Sequence, residues 1–315
     1  MSEPTPDTDV TVDVETHPSG HAVVTEEDPR DLPKRKGWGI GFWLSVVWMV
    51  VVLLLTILAP LLPFVDEPGT FPDFSVDPSA GPSADHWFGV NDNGDDIFSQ
   101  VVNGGRISLF IGFSVVILGF ISGGLVGMVA GFFRGRIDRF ISAIIDILLA
   151  FPALVLALAM IAIFASEGNV VRPNLPVVIG SLSILSIAPL ARITRGVTLA
   201  FSEREFVMAS RTLGAKNSRI IRREILPNVI PPMAVFSLTV IAVVIVAEGA
   251  LAFLGLSVSA PASTWGKLIN VGRPQLESSP HITFFPAGVM FLTILSLNYI
   301  GDVLQGRFAV REGAL

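Results

Sequence analysis

Among the residues able to do chemistry, one carboxylate is set apart by its surroundings. Glu248 lies about two-thirds of the way through the apolar stretch 230–258, with no base beside it. Desolvating a carboxylate in a membrane-length stretch is costly, so such a residue marks function or pairing. Two roles are open to it. It could line a translocation path and meet a substrate's amino group, or it could be a structural hydrogen-bonding group. Asp138, Asp146 and Asp302 stand at the ends of other apolar stretches, and Asp146 with Asp302 would be the pair for an intramembrane aspartyl protease. The chain has no cysteine, which removes disulfides, thiolate metal sites and cysteine nucleophiles. His-Glu-x-x-His and Gly-x-Ser-x-Gly motifs are absent, and His86 and His281 fall outside the apolar stretches. Gly266-Lys267 lacks both the earlier glycine and the following Ser or Thr of a phosphate-cradling loop. A proton- or ion-coupled carrier would use several intramembrane charges or broken helices at the midplane, and one glutamate is a poor match.

These residues are embedded in a chain of 315 residues that is 51% hydrophobic and only 15% charged, with a mean hydropathy of +0.67. A soluble domain carries roughly 25% charged residues, so this composition indicates a membrane protein. Apolar stretches occupy 39–64, 107–133, 140–164, 177–191, 230–258 and 284–300. Most reach the ~20 residues that a ~30 Å hydrocarbon layer demands. With no water to satisfy backbone groups, such stretches must be helical. The expected fold is an all-α membrane protein with six transmembrane helices. Pro152, Pro189, Pro231 and Pro232 are expected to kink or end helices.

The formal net charge of -6 and a pI near 5.2 argue against nucleic acid as a partner. The acidity is local. Residues 1–33 hold nine acids and the single base Arg30, leaving the rest of the chain with 18 of its 27 acids and 20 of its 21 bases. Rich in Pro, Thr and Val, that segment reads as a disordered acidic cytoplasmic tail. It is no signal peptide, because Lys34-Arg35-Lys36 follows it and abuts the first apolar stretch. If the six spans alternate from a cytoplasmic tail, 17 of the 21 bases fall on the cytoplasmic side, and only Arg106, Arg172, Lys267 and Arg273 on the other. By the positive-inside rule both termini are cytoplasmic. The organisation expected is a tail (1–33), a first transmembrane helix with a basic anchor to membrane lipid (34–64), a periplasmic segment (65–105), a five-helix core (106–306) and a cytoplasmic C-terminal tail (307–315).

Two patterns speak to assembly. Gly119, Gly123, Gly127, Gly131 and Gly135 recur every four residues, a stripe along which a second backbone can approach closely. The partner helix is not specified by the pattern. The second pattern is the basic segment 202–228, a short helix with Phe206, Val207, Ser210 and Leu213 near one face. Gly214 can end that helix, and a basic amphipathic helix follows, with Pro227 marking its end. Such a segment could lie on anionic lipid or dock a cytoplasmic partner.

Segment 202–228 resembles the cytoplasmic loop of ABC importer permeases, whose pattern is Glu-Ala-Ala, three residues, Gly, then about a dozen residues to Leu-Pro. Here Met208-Ala209-Ser210, Gly214 and Leu226-Pro227 hold those places, with Met208 for the usual Glu and Ser210 for the second Ala. The segment from His86 to Ser99 is similar to the one before the second span in dipeptide and oligopeptide permeases, with Val90-Asn91 for Thr-Asp and Asp95 for Arg. Gly104 to Leu109, Arg192 and Arg195, Glu248 with Phe253 to Leu256, Ser263 to Gly266, and Gly301-Asp302 fall where that family has similar motifs. The resemblance covers roughly 34–311 and is to the permease chain with a large periplasmic loop after its first span. It implies a type I ABC importer permease fold and a transport subunit, not an enzyme. It also implies a coupling loop whose ATPase docking would involve Glu205, Met208, Ala209, Ser210, Leu213, Gly214, Arg219, Leu226 and Pro227. The implied cargo is a di- or oligopeptide, or else nickel or haem as related systems carry. The implied partners are a second homologous permease chain, two ATPase subunits holding ATP and Mg, and an extracytoplasmic peptide-binding protein. The implied place is a bacterial cytoplasmic membrane, with no cofactor in this chain.

Overall fold

The computed structural model describes residues 12–16, 22–26, 38–67, 76–167, 170–171, 174–259 and 262–313, in two units, Met1–Ile40 and Gly41–Leu315. In the first unit β1 (Val12–Thr16) pairs antiparallel with β2 (Ala22–Glu26), placing Val14 opposite Val24. Val12 and Val14 alternate with Asp13 and Glu15, the period of a strand, which a reading of the tail by its charge passes over. The rest of 1–33, and Lys34-Arg35-Lys36, lie outside the described residues.

The second unit is built from helices. α1 (Ile40–Leu58) runs on into a tight turn at Ala59–Leu61. α2 (Ile97–Phe133) starts well before the stretch expected at 107. Its start is set by Asp96, whose side chain accepts from the Ser99 amide, leaving Arg106 inside the helix. His86 Nδ1 lies 3.1 Å from the other Asp96 oxygen, and Asn91 Oδ1 accepts the amides of Asn93 and Asp95. The 86–96 segment is therefore a cap folded onto the helix start.

The expected third span is broken. α3 (Gly135–Ala150) and α4 (Ala153–Phe164) meet at 92°. Pro152 forces Phe151 out of the helical region, to ψ 136°, and cannot donate an amide across the break. A minimal pair, β3 (Ser166–Glu167) with β4 (Val170–Val171), leads to α5 (Leu175–Ser202), which carries Pro189 within it. Then come α6 (Glu205–Thr212), α7 (Asn217–Ile220) and α8 (Leu226–Phe253).

Pro227 does not end the basic helix. α7 passes through a wide π turn at Ile221–Ile225 straight into α8, so one rod spans Asn217–Phe253. The wide turn sends the Leu226 amide to Ile221 O, relieving the crowding a proline imposes on the preceding turn. α9 (Trp265–Gly272) and α10 (His281–Gly313) close the order, so helix continues well past 307. Among the described residues, five helices are long and apolar enough to cross a membrane, or six if the bent pair counts as one span.

The glycine stripe finds its partner in α5. A Cβ placed on Gly123 would sit 2.7 Å from Ile187 O, and one on Gly131 2.8 Å from Arg195 O. On Gly127 it would run into Ala191 O, and on Gly119 into Ser186 Oγ, closer still. Ser186 Oγ also donates to Val115 O at 3.2 Å, a polar stitch across the same seam. Gly135 is not part of it. The helix has ended, nothing lies within 4 Å of its Cβ position, and with Arg134 (φ 52°) it forms a positive-φ joint (φ 62°) between α2 and α3. The main core gathers Ile111, Val115, Ile161, Leu190, Ile245, Leu251 and Trp265.

Candidate functional site

The α6–α7 elbow hangs on one anchor. Val207 is fully buried in a cluster with Met128, Phe132, Ile220, Ile225, Val229 and Met233, drawn from α2, α7, the π turn and α8. Arg211 lies over the Phe132 ring, 5.2 Å from its centroid. The chain leaves α6 by a Schellman turn. The Ala215 amide donates to Ser210 O at 3.1 Å and the Gly214 amide to Arg211 O at 3.0 Å, with Gly214 at φ 77°.

With Val207 turned in, the other residues of the expected docking loop turn out. Glu205, Met208, Ala209, Gly214, Arg219 and Pro227 are exposed, while Ser210 and Leu226 are half-buried. Leu213, expected to share a face with Val207, instead stands just past the helix end with 87% of its surface exposed. Phe206 and Met208 are also exposed on α6, and the flanking segment carries the exposed bases Arg204, Lys216, Arg219, Arg222 and Arg223. An apolar tip in a basic rim is suited to protein contact, not to bond chemistry.

Glu248 is 99% buried, on α8. Ser257 Oγ donates to it, and the Thr264 side chain is a second partner. Thr264 caps α9, accepting the Lys267 amide. On the same loop, Lys267 Nζ donates to Ala262 O at 2.8 Å, and its partial burial lowers the lysine's pKa. α9 itself is wedged in. Trp265 Nε1 donates to Val101 O at 2.9 Å, Asn270 Nδ2 to Ala252 O at 3.2 Å, and Gly266 abuts Gly249. Glu248 thus fastens the turn between α8 and α9, a geometry that fits the hydrogen-bonding role.

Sequence reasoning missed a polar seam between α3 and α5. Arg195 holds both oxygens of Asp138, Arg192 pairs with Asp146, and Arg134 Nη1 lies 3.0 Å from Glu203. Ser142 donates to Asp138 at 3.2 Å. The available signal was the spacing of Asp138, Ser142 and Asp146, one polar face of a helix at i, i+4 and i+8. Asp146 and Asp302 are not brought together as a catalytic pair. Asp146 is taken by Arg192, and Asp302 lies exposed on α10.

A model of the family described as binding-protein-dependent transport system inner membrane component matches residues 123–312. The dipeptide transport system permease protein DppC of Alkalihalophilus pseudofirmus is 37% identical over 83% of this chain and 84% of its own length. The oligopeptide transport system permease protein OppC of Bacillus subtilis is 34% identical over 83% and 84%. The glutathione transport system permease protein GsiD of Pectobacterium atrosepticum is 37% identical over 71% and 72%. In fold, a chain of the MetNI methionine ABC transporter in an inward-facing form matches with a TM-score of 0.54 at 19% identity, covering 67% of this chain and 97% of that one.

Proposed function

This chain belongs to the binding-protein-dependent transport system inner membrane component family and is an ABC importer permease subunit, a transport component and not an enzyme; we propose that its cargo is peptides and that the α6 apex is where a separate ATPase subunit docks. The observation that carries the docking role is the exposed Leu213 tip. An apolar side chain left in water by a helix that buries Val207 two turns away has a partner outside this chain. The cargo class rests on relatives named for dipeptide, oligopeptide and glutathione transport, all of them peptides.

On this reading the ATP and Mg reside on two ATPase subunits, a second homologous permease chain completes the pathway, and an extracytoplasmic binding protein delivers the peptide. Both termini and the α6–α7 elbow face the cytoplasm, where 17 of the 21 bases gather. Segments 65–105 and 259–283 face the binding protein. ATP-driven closure of the ATPase pair pushes on the elbow. Because α7 and α8 form one rod and α5 leads directly into α6, the push moves both helices and alternates access to the path.

The test is Leu213→Asp in the assembled transporter. The side chain touches little of its own protein, so the chain keeps its fold, while co-purification with the ATPase subunit and peptide uptake are both lost. Uptake and co-purification at the native level would overturn the docking role.

A further inference from the structure

The coupling reading above leaves one mechanical question, how a push on α6 reaches the α3–α4 elbow. The α2–α5 seam allows no sliding, because Gly123, Gly127 and Gly131 bring the two backbones into direct contact. α3 is different. It hangs from α2 by the joint at Arg134 (φ 52°, ψ -166°) and Gly135, a backbone region almost reserved for glycine, and so is free of the helical ladder above it. It meets α5 through a small apolar patch, Ile145 with Ala188 and Ala191 and, packed against them, Ile141 and Leu148, flanked by three ion pairs in antiparallel order: Arg134 with Glu203, Asp138 with Arg195, and Asp146 with Arg192.

The pairs are unequal. The middle one is bidentate and the least exposed, with 33% and 18% of the two side chains open, against 60% and 59% for Arg192 and Asp146. Beside it a cavity of about 200 Å³, lined by Ser142, Ile145, Asp146, Arg192 and Arg195, leaves room for the outer side chains to shift. Exposed ion pairs contribute little to stability. Three of them along one seam constrain something else, the relative position of two helices. The first joins the residue just before α3 to Glu203, just past the end of α5 in the turn into α6.

We propose that Asp138–Arg195, flanked by Arg134–Glu203 and Asp146–Arg192, is the tie that makes the α3–α4 elbow follow α5 when the ATPase acts on α6. This rests on the docking role of α6. Arg195 and Asp138 are positioning residues: they set where α3 stands for each position of α5.

The experiment uses the whole transporter in proteoliposomes, reading ATP hydrolysis and uptake of a labelled dipeptide, alanyl-phenylalanine, side by side. Wild-type liposomes with no associated ATPase activity would overturn the docking role itself, a result separate from those below. Given coupled wild type, Asp138→Asn and Arg195→Gln are expected to assemble normally while uptake per ATP falls about tenfold. The charge swap, Asp138→Arg with Arg195→Asp, is expected to recover most of it. A merely structural role would lower assembly and leave uptake per ATP in what assembles unchanged, and that result overturns the tie. The native chain has no cysteine, so Asp146→Cys with Arg192→Cys allows a thiol-reactive crosslink between α3 and α5. A link that keeps α3 with α5 is expected to leave uptake per ATP near that of the unlinked pair, and a crosslinked protein that hydrolyses ATP without uptake would overturn the tie.

Discussion

Along α2, glycine is used for its missing bulk, and at the α6 apex for its backbone freedom. At Gly127 the angles are those of any helix, but the Ala191 carbonyl occupies the place of a Cβ. At Gly214 nothing lies within 4 Å of that place, but φ is 77°. One region is a dry contact between backbones that must not change. The other is an exposed turn whose shape matters only to what meets it. The contrast separates the part of the chain that holds the permease together from the part proposed to receive force.

The largest effect is expected from Gly127→Leu. The side chain has nowhere to go, since the atoms facing it are the Ala191 carbonyl, the Thr194 Cβ and the Arg195 amide, all on α5. Overpacking at so rigid a contact should destabilise by about 3 kcal/mol or more. The measurement is the thermal midpoint of the detergent-solubilised chain, with yield from the membrane beside it. A stable, high-yield Gly127→Leu would mean that α2 and α5 do not meet as closely as described.

Of the two roles open to Glu248 in the sequence, its buried contacts with Ser257 and Thr264 fit the one that belongs with the holding region. Glu248→Ala leaves Ser257 and Thr264 without their buried partner and should cost about 2 kcal/mol. Glu248→Gln retains an acceptor for Ser257, and its stability should lie between the two. Unfolding of the purified chain checks both. Native stability in Glu248→Ala together with lost uptake would move Glu248 from the fastening of the α8–α9 turn to the path.

For Gly214→Val the expected cost is smaller, about 1–2 kcal/mol, because a β-branched residue resists positive φ but meets no neighbour. The loss should be local and the readout should differ. The midpoint of unfolding falls by only a few degrees, less than in Gly127→Leu, while ATPase co-purification and uptake fall as the Leu213 tip changes direction. A Gly214→Val chain that couples normally would remove the distinction between the two regions.

Much of this arrangement was legible from local chemistry. Hydropathy located the helices, the glycine period located a close contact, and the Met208 to Pro227 spacing located the elbow. What hydropathy does not carry is direction. The 140–164 stretch is apolar enough for one span, but Phe151-Pro152 turns it by 92°. Pro227 was expected to end a helix, and a π turn upstream lets the helix continue. Gly135 keeps the period of the stripe, yet Arg134 has already broken the helix, so period without helical continuity misleads. The pairing of Asp138 and Asp146 with Arg195 and Arg192 joins residues about 50 positions apart, and spacing within either helix cannot name the partner.

The smallest effect expected falls one residue from the seam. Gly196 follows Arg195, whose carbonyl and amide press on Gly131 and Gly127, yet it faces outward on α5 with nothing within 4 Å of its Cβ position. It has ordinary helical angles and no steric need for glycine. Gly196→Ala should therefore leave the isolated chain unchanged or stabilise it by about 0.5–1 kcal/mol, as an exposed helix position ordinarily does. Uptake should stay at the native level. If the isolated chain gains stability but the transporter loses uptake, Gly196 is a second close-contact glycine, its neighbour supplied by another subunit. The holding region would then extend beyond this chain, from the α2 face of α5 around to its outer face.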